Sequence, residues 1–258
     1  MGVLNLSPES FTGDGLPTPS QRERDKKQLE NFTNSVDKIY KGFNSKNISI
    51  VDVGAQSTSP HSTPIRKEDE LERFKYYLNN TNMNNFLRFP HSIDSYRFEV
   101  VEQYIDFVLD NDLDSQVIVN DVSGAKNKDM INLIKKYNLG IIVCHRHPDS
   151  VRLHEKFGYQ NPTEEVKSHL SNQVKYLIGK GVEASSIAID PALGFGKEQK
   201  DSYSILDNIE KLHFGYPIVV GFSKKKFSLN FDMTNVELTE YVFSKGVSIV
   251  RTHIEMQE

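Results

Sequence analysis

Short apolar runs alternate with amphipathic stretches along the whole chain. The clearest run is 187–189, Ile-Ala-Ile, which reads as a strand buried on both faces. It ends at Asp190, and Pro191 forbids further sheet pairing through its own nitrogen. The loop Leu193-Gly-Phe-Gly-Lys197 follows, where two glycines permit close backbone approach. The same grammar predicts strands over 2–6, 48–53, 86–93, 117–119, 140–144, 217–221 and 247–250, with Pro90 weakening the third of these. A period near 3.6 predicts helices over 26–43, 65–78, 98–109, 128–137, 162–180, 202–212 and 235–245. Residues 7–22 and 55–64 read as polar, Gly- and Pro-containing loops, and 147–161 as a long irregular connection. Eight strands alternating with helices, with polar residues recurring at strand ends, predict an α/β chain of the (β/α)8 TIM-barrel class with its site at the C-terminal rim. A doubly wound sheet is the runner-up, and it brings fewer of those strand ends to one ligand.

Composition narrows the picture only a little. The 258 residues suffice for one large domain spanning 1–258, whole or part of a longer bifunctional chain. A net charge of -4 gives no overall bias toward nucleic acid or an anionic membrane. Cys144 stands alone, so no intrachain disulfide forms and a reducing, cytoplasmic setting is expected. No apolar run approaches the roughly 20 residues of a membrane span.

The strand ends offer Asn5, Asp52, Asp94, Asn120, Asp190, Lys225, Arg251 and His253. Asp and Asn can read a flat heterocycle with adjacent N–H and N groups, while Lys, Arg and His supply charge for phosphate or carboxylate. The rim therefore suggests a nitrogen heterocycle with an anion at its edge. The 193–197 loop is no Walker A motif, because Pro191 stands where that spacing needs its first glycine. Cys144, His145 and His147 have the chemistry of metal ligands, but an extended segment with no second cysteine favours packing over zinc. Lys224 to Lys226 would ordinarily be a solvated charge run, and their place directly after a strand and Gly221 favours function.

Seven motifs then occur in order. They are residues 1–11 (Met-Gly-Val-Leu-Asn-Leu-Ser-Pro-Glu-Ser-Phe), 52–58 (Asp-Val-Gly-Ala-Gln-Ser-Thr), 92–95 (Ser-Ile-Asp-Ser), 120–124 (Asn-Asp-Val-Ser-Gly), 190–197 (Asp-Pro-Ala-Leu-Gly-Phe-Gly-Lys), 221–225 (Gly-Phe-Ser-Lys-Lys) and 251–253 (Arg-Thr-His). In this series the chain resembles the dihydropteroate synthase family of pterin-binding (β/α)8 barrels over nearly its whole length. The resemblance implies that Asp94, Asn120, Asp190 and Lys225 hold a pterin, with Phe195 beside it. It implies Arg251, His253 and Asn5 at pyrophosphate, with Asn5 close to a Mg2+ ion. It puts Ser57, Thr58 and Pro60 on the aminobenzoate side, and Lys225, Arg251 and Asp94 in the catalytic step. The partners implied are small molecules, a dihydropterin pyrophosphate and p-aminobenzoate, with a homodimer as the expected assembly and no nucleic acid or membrane.

Departures accompany the likeness. Gln56-Ser-Thr-Ser-Pro60 replaces the family's Glu-Ser-Thr-Arg-Pro, and Ser223-Lys-Lys-Lys226 replaces its Ser-Arg-Lys-Ser. Residues 144–148 differ from its Met-His-Met run, and the C-terminal part is short. Two other readings stay open on the sequence: a non-catalytic pterin-binding paralogue, and a pterin-dependent methyltransferase of the same barrel family. The methyltransferase has no pyrophosphate to hold, so Lys225, Arg251 and His253 argue for the synthase.

Overall fold

The computed structural model describes residues 1–6, 41–42, 48–58, 62–80, 89–111, 116–152, 154–223 and 225–253. The chain divides into two compact units, Met1–Val119 and Asn120–Glu258. Each is an α/β assembly of parallel strands and flanking helices.

In the first unit β1 (Gly2–Asn5) pairs in parallel with β2 (Val51–Gly54), and β2 with β3 (His91–Asp94). Helix α1 (Lys67–Asn80) follows β2, and α2 (Phe98–Asp110) follows β3. Strand β4 (Val117–Asp121) begins in this unit, just after Gln116, whose carbonyl accepts the His91 N–H at 3.2 Å. Val100, Val101, Tyr104, Ile105 and Val108 are buried along one stripe of α2, as a period of 3.6 requires. Val51, Val53 and Ile93 are fully buried on the strands, each aliphatic side chain contributing about 1.5–3 kcal/mol when withdrawn from water.

Sequence and structure differ here for local reasons. Strand β2 starts at Val51 rather than at 48, because the Ile48 N–H is already taken by the Gly42 carbonyl at 3.1 Å. Strand β3 is confined to His91–Asp94, since Pro90 has no N–H to give to a ladder. The helix expected over 26–43 and the polar loop over 7–22 lie outside the described residues, apart from Lys41 and Gly42.

The second unit continues with α3 (Lys128–Tyr137), β5 (Gly140–Cys144), α4 (Pro162–Gly179), β6 (Ile187–Asp190), α5 (Gln199–Asp207), β7 (Val219–Val220), α6 (Asn235–Ser244), β8 (Ile249–Val250) and β9 (Thr252–His253). Strand β5 pairs in parallel with β6, and β7 with β8, while a single bridge joins Ile189 to Ile218. The helix ends match their caps. Asn127 accepts the N–H groups of Asp129 and Met130 at the start of α3, and Asn138 closes that helix at a φ of 51°. The helix expected over 202–212 instead starts at Gln199, stops at Asp207, and resumes as a 3-10 turn over Ile209–Leu212. At the break the Asp207 carbonyl accepts from Lys245, and Tyr241 donates to the Asp207 carboxylate at 2.9 Å, so tertiary partners replace the next helical bond. No helix among the described residues is long and apolar enough to cross a membrane.

One buried base gives the first unit a pH dependence. His91 packs edge-on against Tyr104, with 5.5 Å between ring centres, and its Nδ1 meets the Phe89 carbonyl at 2.9 Å. Burial lowers its pKa from 6.5 to about 4, against a smaller opposing effect of that carbonyl. The unfolded chain protonates His91 near pH 6.5, whereas the folded chain resists until about pH 4. Stability is therefore complete above the unfolded value and is lost as pH falls through this window, by about 3 kcal/mol from this residue alone. In chemical denaturation between pH 7 and 4, His91→Asn should lose stability less steeply than the parent, whatever it costs at neutral pH. Equal slopes would show that His91 does not titrate in this way.

Candidate active site

Strand ends in the second unit bring together one carboxylate and three cations. Asp190 terminates β6 and is buried, and its Oδ1 accepts the Ala192 N–H at 2.6 Å. One of its oxygens thus caps the following turn. Burial raises the Asp190 pKa, and Lys225, Arg251 and Lys197 oppose that rise. Lys225 enters from the loop after β7. Its Nζ donates to the Leu193 carbonyl at 2.7 Å and lies 5.1 Å from the centre of the Phe195 ring. Its stem is half-buried, yet desolvation of the ammonium lowers its pKa to about 8, against the pull of Asp190. The two charges act on each other, Asp190 favouring the protonated lysine and Lys225 favouring the ionised carboxylate, which offsets part of the cost of leaving water.

Lys197 is the residue that sequence reasoning undervalued. It is 4 % exposed, and its Nζ donates to the carbonyls of Ala192 and Phe195 at 3.1 Å each. Those carbonyls turn toward it because Ala192, Gly194 and Gly196 all have positive φ, 50°, 84° and 62°. The ammonium therefore fixes the loop that presents Phe195. Burial takes its pKa down to about 7 despite the nearby Asp190. On sequence the only signal was a lysine closing a Gly-Phe-Gly turn.

Phe195 is also stacked on His154, with 5.2 Å between ring centres. Asn120, in β4, accepts from the Cys144 thiol at 3.3 Å, and Cys144 lies in register with Asp190. Arg251 follows β8, its backbone N–H donating to Val220 at 2.7 Å. Gly221 lies beside both cations: a Cβ placed on it would stand 3.7 Å from Arg251 Cβ and 3.9 Å from Lys225 Nζ, ordinary contact distances. Ser223 Oγ and His253 Nδ1 are 2.9 Å apart. Asn120, Asp190, Phe195, Lys225, Arg251 and His253 thus all belong to this unit. Lys226 is exposed at the start of a 3-10 turn, and Lys224 lies outside the described residues.

The His145 and His147 segment is packed rather than open. His145 Nε2 lies 3.1 Å from His169 Nδ1 with the two rings stacked, and His147 stacks on Phe157 at 3.8 Å. Burial holds the His145 pKa well below its usual value, aided by nearby Lys197. His169 and Phe157 carried no sequence signal, since each owes its place to a distant partner.

The first unit holds the other candidates. Asp52 is fully buried in β2 and accepts the Ser92 hydroxyl from β3. Asp94 ends β3, buried, and its Cβ would lie 3.3 Å from a Cβ placed on Gly54, so the glycine admits it. Ser57 is buried and Thr58 half-buried in the loop after β2, while Pro60 lies outside the described residues. Asn5 ends β1 as a neutral amide. The expectation of a Mg2+ ion with Asn5 as its ligand is overturned. Among the described residues no three His, Cys, Asp or Glu side chains form a group able to hold a metal ion. Asn5 offers one neutral amide oxygen, whereas Mg2+ in proteins ordinarily takes one or two carboxylates besides water and phosphate oxygens.

Comparison with known proteins adds to this geometry. The dihydropteroate synthase of Streptococcus pyogenes serotype M6 is 27% identical over 265 residues, covering 98% of this chain and 89% of that protein. The Bacillus subtilis dihydropteroate synthase is 25% identical over 263 residues, covering 98% and 82%. Among solved structures, the Clostridium difficile synthase in the presence of pteroic acid superposes with a TM-score of 0.74 at 25% identity, covering 98% of this chain and 89% of the other. The Anaplasma phagocytophilum synthase with bound 6-hydroxymethylpterin-monophosphate also gives 0.74 at 25% identity, covering 99% and 93%. The family model for pterin-binding enzymes matches residues 1–253, and the chain belongs to that family.

Proposed function

We propose that the chain is a dihydropteroate synthase, which joins p-aminobenzoate to 6-hydroxymethyl-7,8-dihydropterin pyrophosphate and yields 7,8-dihydropteroate and pyrophosphate. The (β/α)8 barrel of the family is part of this reading, supported by the alternation of parallel strands and helices. The observation that carries the proposal is the buried Asp190 carboxylate in the electrostatic reach of Lys225, Arg251 and Lys197, with Lys225 lying over the Phe195 ring. A carboxylate takes paired donors of a flat heterocycle, and Phe195 offers that heterocycle an aromatic neighbour. Asn120 adds an amide that can both donate and accept. Three cations around one carboxylate leave a local excess of positive charge, which suits pyrophosphate. By resemblance Asp94 joins the pterin residues, His253 joins Arg251 at the anion, and Ser57, Thr58 and Pro60 serve the arylamine.

In the reaction the amine nitrogen forms a bond to the pterin methylene carbon. The carbon–oxygen bond to pyrophosphate breaks with its electron pair going to oxygen, and the amine gives up a proton. The electron-rich pterin supports positive charge on that carbon as the bond breaks. Lys225 and Arg251 are fixed donors for the charge that grows on the leaving group, so their stabilisation is larger in the transition state than in the ground state. Mixing the protein with both substrates should release pyrophosphate in proportion to dihydropteroate formed. Pterin binding without pyrophosphate release would instead identify a non-catalytic relative.

A further inference from the structure

The loop after β2 is held by a charge network that the reaction itself does not require. Arg97 stands at the N-terminal boundary of α2, three residues beyond Asp94. Its Nη1 donates to Gln56 Oε1 at 2.8 Å and to the Glu70 carboxylate, and its Nη2 donates to the Ile65 carbonyl at 2.6 Å. One guanidinium therefore ties the beginning of the loop, its end, and the first turn of α1. Arg73, from the next turn of α1, is 3 % exposed and donates to the Ala55 carbonyl at 2.9 Å. Ser62 Oγ donates to the Ser57 carbonyl at 2.8 Å. Three consecutive residues, Ala55, Gln56 and Ser57, are thus each anchored by a different side chain.

This is a costly arrangement for mere packing. The Glu70 side chain is 1 % exposed, and burial opposes its ionisation even with Arg97 beside it. Replacing a buried ion pair of this kind by apolar residues is often neutral or stabilising, so stability alone gives no reason for its presence. What the pair does supply is direction, because a planar fork reaches three acceptors at fixed angles where an ammonium presents a point charge.

We propose that Arg97 is a positioning residue that holds Gln56, Ser57 and Thr58 in place for the arylamine substrate, with Glu70 orienting the guanidinium. The arylamine role rests on the synthase reading above, while the anchoring does not. Arg97→Lys keeps the charge and loses the fork. It should raise KM for p-aminobenzoate about tenfold, since small displacements at a substrate contact are amplified in rate and affinity. KM for the dihydropterin pyrophosphate should stay within about twofold, because Arg97 touches none of the residues assigned to that substrate. Amide exchange of residues 55–58 should accelerate in the variant while that of β6 does not.

Gln56→Ala removes one acceptor without exposing a buried charge, and should show the same one-sided KM change if Arg97→Lys folds poorly. Unchanged exchange at 55–58 in both variants overturns the anchoring. Equal rises in both KM values, or none, overturn the positioning role. A parent protein that releases no pyrophosphate overturns the synthase reading and the arylamine role with it, and the exchange measurement still decides the anchor.

Discussion

Lys225→Ala should lower kcat/KM by about two to three orders of magnitude, the usual consequence of removing one fixed donor from a developing anion. Two contacts of the ammonium and one charge set this expectation: the Leu193 carbonyl at 2.7 Å, the Phe195 ring at 5.1 Å, and the electrostatic pull of Asp190. An ion largely withdrawn from water acts on a nearby charge far more strongly than a surface lysine, whose pairings are worth about 0–1 kcal/mol. Truncation also leaves Asp190 buried with one cation fewer, so thermal unfolding should be measured alongside kinetics.

Two comparisons separate catalysis from folding. Affinity for a plain pterin should fall more in Lys225→Ala, because this side chain also lies against Phe195. Affinity for pyrophosphate should fall more in Arg251→Ala. The parent's activity should decline as pH rises through about 8, where Lys225 loses its proton, and it should not decline there through unfolding. Burial has lowered this pKa, so the folded state gains relative to the unfolded one as pH rises from about 8 toward 10.5. Near-normal kcat/KM in both single variants would put the anion site elsewhere and remove the central step of the proposed mechanism.

The strand ends were legible in the sequence because each one breaks an apolar run with a polar side chain. Asp190, Asn120 and Asp94 were found in that way, and all three end or nearly end their strands. The parallel α/β class followed from the same alternation. The pterin-binding family was legible from motif order, where no single motif would have sufficed.

Features that depend on partners distant in sequence were not legible. Lys197 acts through carbonyls that a positive φ at Ala192 turns inward, and nothing in an alanine advertises that conformation. Arg97 collects Gln56, Ile65 and Glu70 from 41, 32 and 27 residues away, and from its own neighbours it reads only as a charged residue before a helix. The basic run 224–226 does not act as one patch: Lys226 is exposed, whereas Lys225 donates to the Leu193 carbonyl. The magnesium expectation came from resemblance alone, with no carboxylate set behind it, and that is why it failed. Helix boundaries went astray where a side chain from another element took a backbone carbonyl, as Lys245 does at Asp207.

Asp190→Asn should weaken binding of a pterin analogue by about 10- to 150-fold, the equivalent of roughly 1.5–3 kcal/mol for a hydrogen bond to a charged group. The substitution preserves shape and one acceptor oxygen. The Ala192 N–H can therefore keep its bond, and the turn into the 192–197 loop should survive. The negative charge that balances Lys225, Lys197 and Arg251 is lost. Both lysines then lose an attraction that favours their charged form, so their pKa values should fall further below about 8 and about 7. The basic limb of the activity profile should accordingly move to lower pH in Asp190→Asn, a change that a damaged fold would not produce. Calorimetry with a pterin analogue, repeated at falling pH from about 6.5 until the difference between parent and variant no longer changes, separates the carboxylate's own contribution from the lysines' loss of charge. Unchanged affinity there would remove Asp190 from the pterin site and leave it as the cap of its turn alone. A loss of affinity with an unmoved pH limb would separate Asp190 from Lys225 in function, despite the electrostatic coupling between them.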